Sequence, residues 1–471
     1  MYDLGLPVHL YLNKYHHKYL AFYHAIKDSI INGTLTDGTR LPSSRELAEQ
    51  YSISRGTANV VYDMLTADGY VETRLGSGTY VAFKSKLKVE GAADISYQKS
   101  SWGQRLKDDH SSYTQATFDF STLRPLTDLF PQVEWKKAVK QGLEKLNYLV
   151  GYVDPDPKGL LELRQGIANY LLTTRGMKMN VEDIIILNGS VNGMALLAHL
   201  LIGENDTVLI EEPTYLRVRN MIQTVGGVPV ALQIDELPTF TSKLAYVTPS
   251  SKYPTGQVMT IEERLKLLQW AKEQNALLIE DDIDSLFNRK TRMLEPLKVL
   301  DSENRVIYLG TFAFTLLTPL RIGYAIVPSY LIKDFLKAKH VFEPFTTSLY
   351  EQAAIAQFIS NGHYGKHVRK MQRVYRQRYE TFIKLMDKKL KGVFSWIETD
   401  KSLHVFGWWN GTEESYEYFL SACKEKGVVW EHPIAYFMNK PSPCAVFHYG
   451  SLTEFEMETA ISIMAEVYKH I

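Results

Sequence analysis

The stretch Ile279-Glu280-Asp281-Asp282-Ile283-Asp284, followed by Tyr308-Leu309-Gly310-Thr311-Phe312-Ala313-Phe314-Thr315-Leu316 and Leu320-Arg321-Ile322-Gly323-Tyr324, constrains this chain more than any other. Each half opens on an apolar run of strand length and ends in polar or small residues. In an open α/β sheet, ligands bind outside the carboxyl ends of the strands. Asp281 and the Gly310-Thr311 turn would both sit there.

The surrounding sequence agrees with such a sheet. From Thr117 onward strand-like and helix-like segments alternate, the sign of an α/β domain with a mainly parallel sheet. Ile184-Ile185-Ile186-Leu187 reads as a buried strand running into Asn188-Gly189-Ser190 and a helix with Met194, Leu197 and Leu201. A strand-to-helix turn of small residues offers backbone N–H groups and a dipole to an anion. Further landmarks are Asp154-Pro155, Lys158-Gly159-Leu160, Arg175-Gly176, Glu211-Glu212-Pro213-Thr214-Tyr215, Tyr246-Val247-Thr248-Pro249-Ser250 and Pro254-Thr255-Gly256. A helix from Gly362 through Met371 leads to a smaller, strand-rich α+β subdomain at about 365–471.

The first 83 residues read differently. Phe22, Ala25, Ile26, Ser29 and Ile30 fall at helical spacing, and Asn32-Gly33 stops that helix. Ser43 opens a second helix with Glu46 three residues on, the spacing of a capping box. Ser54 caps a third, whose inward stripe is Ala58, Val61, Tyr62 and Leu65 and which ends at Asp68-Gly69. Two strands follow around Leu75-Gly76-Ser77-Gly78. Three helices and a β-hairpin make a winged helix-turn-helix, whose third helix enters the major groove by its N-terminal residues. Arg55 and Thr57 lie there. Arg45 is placed to reach a phosphate or a guanine edge; Arg40 precedes the second helix, and Arg74 and Gly78 lie on the wing. Residues 1–90 hold 10 Lys+Arg against 9 Asp+Glu, so placement rather than bulk charge argues for DNA. The plainer reading is a small helical domain with solvated arginines.

Between the two, residues 84–116 lose periodicity and read as a polar tether, with Trp102 and Leu106 as candidate anchors on a domain. The chain has 471 residues, 45% hydrophobic content and zero formal net charge, which gives no global push toward nucleic acid or membrane. Its two cysteines, Cys423 and Cys444, form no framework and suit a reducing cytosol. Met1 through Lys14 lacks the pattern of a signal peptide, and the longest apolar run, near Ala195 to Ile202, is too short to span a bilayer. A cytoplasmic location is expected.

Leu41-Pro42-Ser43-Ser44-Arg45-Glu46-Leu47-Ala48, Ser54-Arg55-Gly56-Thr57-Ala58 and Gly76-Ser77-Gly78-Thr79-Tyr80-Val81 resemble the GntR family of bacterial transcription regulators. With the landmarks of the large domain, the whole chain resembles the MocR/GabR subfamily, which fuses a winged helix to a fold-type I aminotransferase-like domain that senses pyridoxal phosphate (PLP) and often an amino compound. The resemblance implies double-stranded operator DNA as partner, a small-molecule effector, and a head-to-tail homodimer.

It also implies a set of pocket positions. Asp281 stands where the family pairs a carboxylate with the pyridine nitrogen of PLP. Arg321 stands at the phosphate-binding arginine, with Ser190 and Thr311 as further hydroxyls, and Tyr215 and Arg217 match residues near the pocket. Three positions depart. Ile283 replaces the tyrosine that donates to the ring oxygen, Ala313 replaces a serine, and Phe314 replaces the lysine that forms the Schiff base. Ser451 aligns, on a short motif, with the substrate-carboxylate arginine. Lys252 is the only lysine in a pocket motif; it reads as a surrogate nucleophile or, more simply, as a solvated loop lysine.

These departures imply a regulator whose aminotransferase-like domain dimerises and senses a ligand without covalent PLP. No residue is assigned as catalytic. The alternative is a PLP-dependent aminotransferase with an accessory DNA-binding domain, against which Phe314 argues because it has no nucleophile. Phe314 reads as core packing or as a stacking surface for another planar ligand. Successive carboxylates in Glu280-Asp281-Asp282 alternate in direction along a strand, so no metal site is expected.

Overall fold

The computed structural model describes residues 4–74, 76–83, 97–107, 116–122, 126–146, 156–283, 285–287, 294–399 and 403–471. Leu75, Asp154-Pro155, Asp284 and most of the expected tether (84–96 and 108–115) lie outside the described residues. The chain divides into two compact units, Met1–Gln98 and Lys99–Ile471.

In the first unit, helices Lys18–Ile31, Ser44–Gln50 and Arg55–Ala67 precede the hairpin Val71–Arg74/Gly78–Val81. A short helix, Val8–Leu12, comes before them and was not legible from periodicity. Phe22, Ile26, Leu47, Val61, Leu65 and Val81 bury their apolar faces together. Ser43 and Glu46 form the capping box reciprocally, which satisfies N–H groups that a helix start otherwise leaves unpaired. Ser54 Oγ accepts from Thr57 N at 3.0 Å. The buried Tyr62 hydroxyl donates to the Pro42 carbonyl at 2.6 Å, tying the third helix to the start of the second.

The second unit is built on a seven-stranded sheet. Its spatial order is Ile184–Leu187, Gly323–Ile326, Val306–Thr311, Leu277–Asp282, Leu244–Val247, Thr207–Ile210, Val228–Ala231. Among these strands only Gly323–Ile326 runs antiparallel to its neighbours. Strand Ile184–Leu187 is buried at every position, as expected where helices cover both sheet faces. Helices Ser190–Leu201, Leu216–Thr224 and Ser329–Phe342 cover one face, where Leu197, Ile222 and Phe335 are buried. On the other, Leu163, Ile167 and Ile355 pack near one edge and Leu267 and Trp270 near the other.

The C-terminal part follows the 27-residue helix His363–Lys389. It holds an antiparallel sheet of Phe394–Trp396, Val405–Trp409 and Cys444–Phe447, and helices Glu413–Glu425 and Glu454–Tyr468. Strand Phe118–Phe120 pairs in parallel with Val428–Trp430. The start of the large unit is therefore packed with its end, which a subdomain drawn at about 365–471 leaves out. Cys423 and Cys444 are both buried and free. Among the described residues no helix is long and apolar enough to cross a membrane.

Part of the expected tether is ordered on the second unit. Residues Ser101–Arg105 form a helix capped by Ser100, whose Oγ accepts from Gly103 N. The anticipated anchors do not make the attachment: Trp102 and Leu106 are 45% and 52% exposed. Arg105 and Lys107 make it instead. Arg105 donates to Thr224 O at 3.0 Å and to Glu204 at 2.9 Å, and Lys107 donates to Gln223 Oε1 at 2.6 Å.

Candidate DNA-binding surface and ligand cavity

On the first unit, Ser54 stands at the N-cap of helix Arg55–Ala67 and Arg55 at its first position. Arg55 is exposed and Thr57 is half-buried. Arg45 is exposed and pairs with Glu49 at 3.2 Å. Arg74 pairs with Glu72 and lies 4.7 Å from the Tyr80 ring centroid. Gly78, at φ +115°, leaves room for Arg40: a Cβ there would lie 3.1 Å from Arg40 Nε. The Arg40–Tyr80 bridge holds the approach to the second helix against the wing. The structure thus carries Arg40, Arg45, Arg55 and Arg74 on one small unit, none of them buried.

On the second unit, the carboxyl ends of the strands open into a cavity of about 400 Å³. Ser190, Tyr215, Arg217, Asp281, Ile283, Thr311, Phe314 and Arg321 all line it. At one end, helix Ser190–Leu201 starts after Gly189, which sits at φ +83° and supplies no side-chain cap. Its first N–H groups are left for an anion. Gly323 permits this turn, since a Cβ there would come within 2.7 Å of Ser190 N. Arg321, in the left-handed region at φ +50°, lies against Gly189, whose added Cβ would sit 3.5 Å from Nη2. The Thr311 hydroxyl accepts from Ala313 N at 3.1 Å.

Asp281 is buried at the cavity wall. Tyr246 donates to its Oδ2 at 2.8 Å, and Oδ1 has no partner among the described residues. Burial, with Asp282 next to it, pushes the carboxyl up to about 7 against the opposing Tyr246 hydrogen bond. Its neighbours turn away from it. Glu280 accepts from Leu297 N and Lys298 N at 2.9 and 2.8 Å, and burial pushes it up to about 7. Asp282 meets Arg175 at 3.0 Å and the Tyr308 hydroxyl.

Phe314 is half-buried; it lines the cavity and packs on the core of the C-terminal part. Among the described residues no lysine lines the cavity. Lys252 is not a lining residue: its Nζ donates to the Glu212 carbonyl at 2.6 Å, so its amine is held by the backbone outside the cavity wall. Ser451 is not one either. It ends the short turn Tyr449–Ser451, with its hydroxyl buried and without a hydrogen-bond partner among the described residues. The cavity wall at that point is made by His448.

Sequence reasoning missed Tyr246 and a cluster from the C-terminal part. Glu431 accepts from Tyr253 at 2.5 Å, from His448 Nε2 at 2.9 Å, and from the Tyr436 hydroxyl. Burial pushes Glu431 up, but these partners hold it net below the usual carboxylate range. His404 Nε2 lies 2.7 Å from the Pro254 carbonyl. Tyr246 sits in a landmark strand and was readable as a strand-end polar group. Glu431 and Tyr436 lie in no motif, His448 only opens the short motif that carries Ser451, and Glu431 meets Tyr253 across 178 residues of chain.

The pattern "Bacterial regulatory proteins, gntR family" matches residues 18–81, and "Aminotransferase class I and II" matches residues 124–443. A multiple substrate aminotransferase from Thermococcus profundus superimposes with a TM-score of 0.70 at 21% identity, covering 79% of this chain and 97% of that one. Kynurenine aminotransferase from Pyrococcus horikoshii gives 0.68 at 21% identity, over 76% and 92%. These establish the fold: a GntR-type winged helix joined to an aminotransferase-fold domain. The "Probable rhizopine catabolism regulatory protein MocR" of Rhizobium meliloti is 31% identical over 99% of this chain and 94% of its own length. PdxR, a pyridoxine biosynthesis regulator of Corynebacterium glutamicum, is 29% identical over 75% of each. The chain belongs to the MocR-type GntR transcription regulators.

Proposed function

We propose that this regulator binds operator DNA through Arg40, Ser43, Arg45, Ser54, Arg55, Thr57, Arg74 and Gly78, and reads a small molecule in the cavity of its second unit without a covalent bond. It acts in the cytoplasm as a head-to-tail homodimer on a repeated or two-part site, and it is not a working aminotransferase. One observation carries the ligand reading. The cavity keeps an acceptor, Asp281, and an anion cradle at Ser190 and Arg321, yet its lining has Phe314 and, among the described residues, no lysine.

The cavity offers two of the four groups that PLP needs, and Ile283 gives the ring oxygen no donor. Asp281 Oδ1, buried and without a partner among the described residues, suits a protonated ring nitrogen. The open helix start at Ser190, with Arg321 beside Gly189, suits a phosphate. The carbonyl end has no nucleophile. When bound, PLP supplies an electron sink, but transamination leans on the lysine that Phe314 replaces. What remains is binding and orientation. Asp281 holds a ring cation, Ser190 and Arg321 hold an anion, and Phe314 offers an aromatic face. Ligand that favours one arrangement of the second unit then biases DNA binding by its differential affinity.

The test is a calorimetric and absorbance titration of the full chain with PLP beside Phe314→Lys. Binding to both, with a reducible covalent adduct in the variant alone, supports the reading. Binding to neither removes PLP as the ligand. Transaminase turnover that survives purification and is lost in Asp281→Asn would restore the enzyme alternative.

A further inference from the structure

One short helix touches both the cavity and the tether. Leu216–Thr224 has nine residues, about 13 Å at 1.5 Å per residue. Its first turn is in the cavity wall: Tyr215, Leu216 and Arg217 all line it. Its middle is fastened to the C-terminal part. Arg219 donates to the Phe437 carbonyl at 2.8 Å and to the Ala435 carbonyl, and Thr214 N, just before the helix, donates to Tyr436 O at 3.1 Å. Tyr436 itself lines the cavity. Any adjustment of that loop around a ligand therefore pulls on this helix.

The far end is held by the segment that leads back to the DNA-binding unit. The last carbonyls of a helix have no partner within it, and they carry the negative end of its dipole. Arg105 Nε donates to one of them, Thr224 O, and its Nη1 bridges on to Glu204. Lys107 takes Gln223 Oε1 at 2.6 Å. The Thr224 hydroxyl is turned inward to Asn220 O and does not compete. Between the two ends Val218 and Ile222 are buried in the sheet-facing core, so the helix moves as a body or not at all.

We propose that Leu216–Thr224 is the relay between ligand and DNA: occupancy of the cavity displaces the helix with the 433–438 loop and changes the hold of Arg105 and Lys107 on its C-terminal end. This rests on the cavity being a ligand site. Neither Arg105 nor Lys107 is among the described residues that line the cavity, and both act by positioning the tether.

The full chain is titrated with PLP in the presence and absence of a DNA duplex that the wild type has selected from a random-sequence pool. The wild type is expected to show a difference in PLP affinity of about five-fold or more, the range of coupled sites. Arg105→Ala/Lys107→Ala is expected to shrink that difference to near unity while keeping the DNA-free PLP affinity. A double variant that retains the wild-type difference overturns the relay, and so does a wild type that binds PLP equally well with and without DNA. If the wild type takes up no PLP, PLP is removed as the ligand of the cavity, and a ligand-free comparison decides the relay. Arg219→Ala should then change duplex affinity in the wild-type background and not in Arg105→Ala/Lys107→Ala. Equal effects in both backgrounds, including none in either, overturn it.

Discussion

Tyr246 donates its hydroxyl to Asp281 Oδ2 at 2.8 Å, across two adjacent strands, and leaves Oδ1 with no partner among the described residues. The hydrogen bond favours the carboxylate, and burial disfavours it more, with the balance at about 7. A ligand that brings a ring cation to Oδ1 needs the carboxylate form. PLP affinity is therefore expected to rise as pH increases through about 7 and to level off above it. Tyr246→Phe removes the lowering contribution and moves that midpoint upward. Calorimetric titrations between pH 6 and pH 9 (roughly one to two decades of proton concentration either side) read both. A midpoint that does not move would separate Tyr246 from the ligand.

The same carboxyl makes a stability prediction. Its folded value lies above its ordinary value of 3.8, so the native state binds the proton more tightly than the unfolded chain. By linkage the ligand-free protein loses stability as pH rises from about 4 to about 7, and the whole penalty is present above that window. Asp281→Asn is neutral throughout and escapes it. The variant is expected to melt higher than the wild type at pH 8, by a few kcal/mol at about 1.4 kcal/mol per tenfold change in the ionisation constant, and the gap closes toward pH 4. Thermal unfolding without ligand at both pH values measures it; a gap that is the same at both would point to packing instead.

Phe314→Lys is expected to retain the fold, because Phe314 is only half-buried at the cavity wall. A lysine there meets a bound carbonyl with an amine that none of the described lining residues supplies in the wild type. Visible absorbance that becomes permanent on borohydride treatment should appear in the variant and not in the wild type. Its appearance in the wild type would mean that a lysine outside the present wall has entered, and the non-covalent reading would be lost.

Arg55 stands at the first position of its helix, exposed and with no ion-pair partner among the described residues. Arg55→Ala is expected to cost about 1–3 kcal/mol on the selected duplex and to relax its sequence preference. Arg40→Ala, beside the wing, should weaken all duplexes evenly and lower the salt slope by about one. Fluorescence anisotropy at several salt concentrations separates the two patterns. Unchanged retention in both would move the DNA contact to another face.

Ser54 holds the start of that helix through Thr57 N at 3.0 Å. Ser54→Ala leaves that N–H without its cap and is expected to cost about 1 kcal/mol. The loss should show in the unfolding of the first unit and leave that of the second unit where it was. A loss shared by both units would mean that they unfold as one.

Much of this protein was legible along the chain because its signals are local. Ser43 and Glu46, or Ser54 and Thr57, cap a helix from three residues apart, and a four-residue run such as Ile184–Leu187 announces a strand buried on both faces. Asp281 and the Gly189-Ser190 turn follow from the same locality, since each sits where a strand ends. Tertiary structure alone decided the rest. Glu431 is joined to Tyr253 across 178 residues, Arg105 reaches Thr224 across 119, and Phe118–Phe120 finds its partner strand near the far end of the chain. Nothing in the local sequence around Trp102 and Leu106 says that the arginine and lysine beside them hold the tether. Ser451 fell outside the cavity for the same reason: a short motif fixes the conformation of a turn, while the side chains that face a pocket are chosen by how distant elements pack.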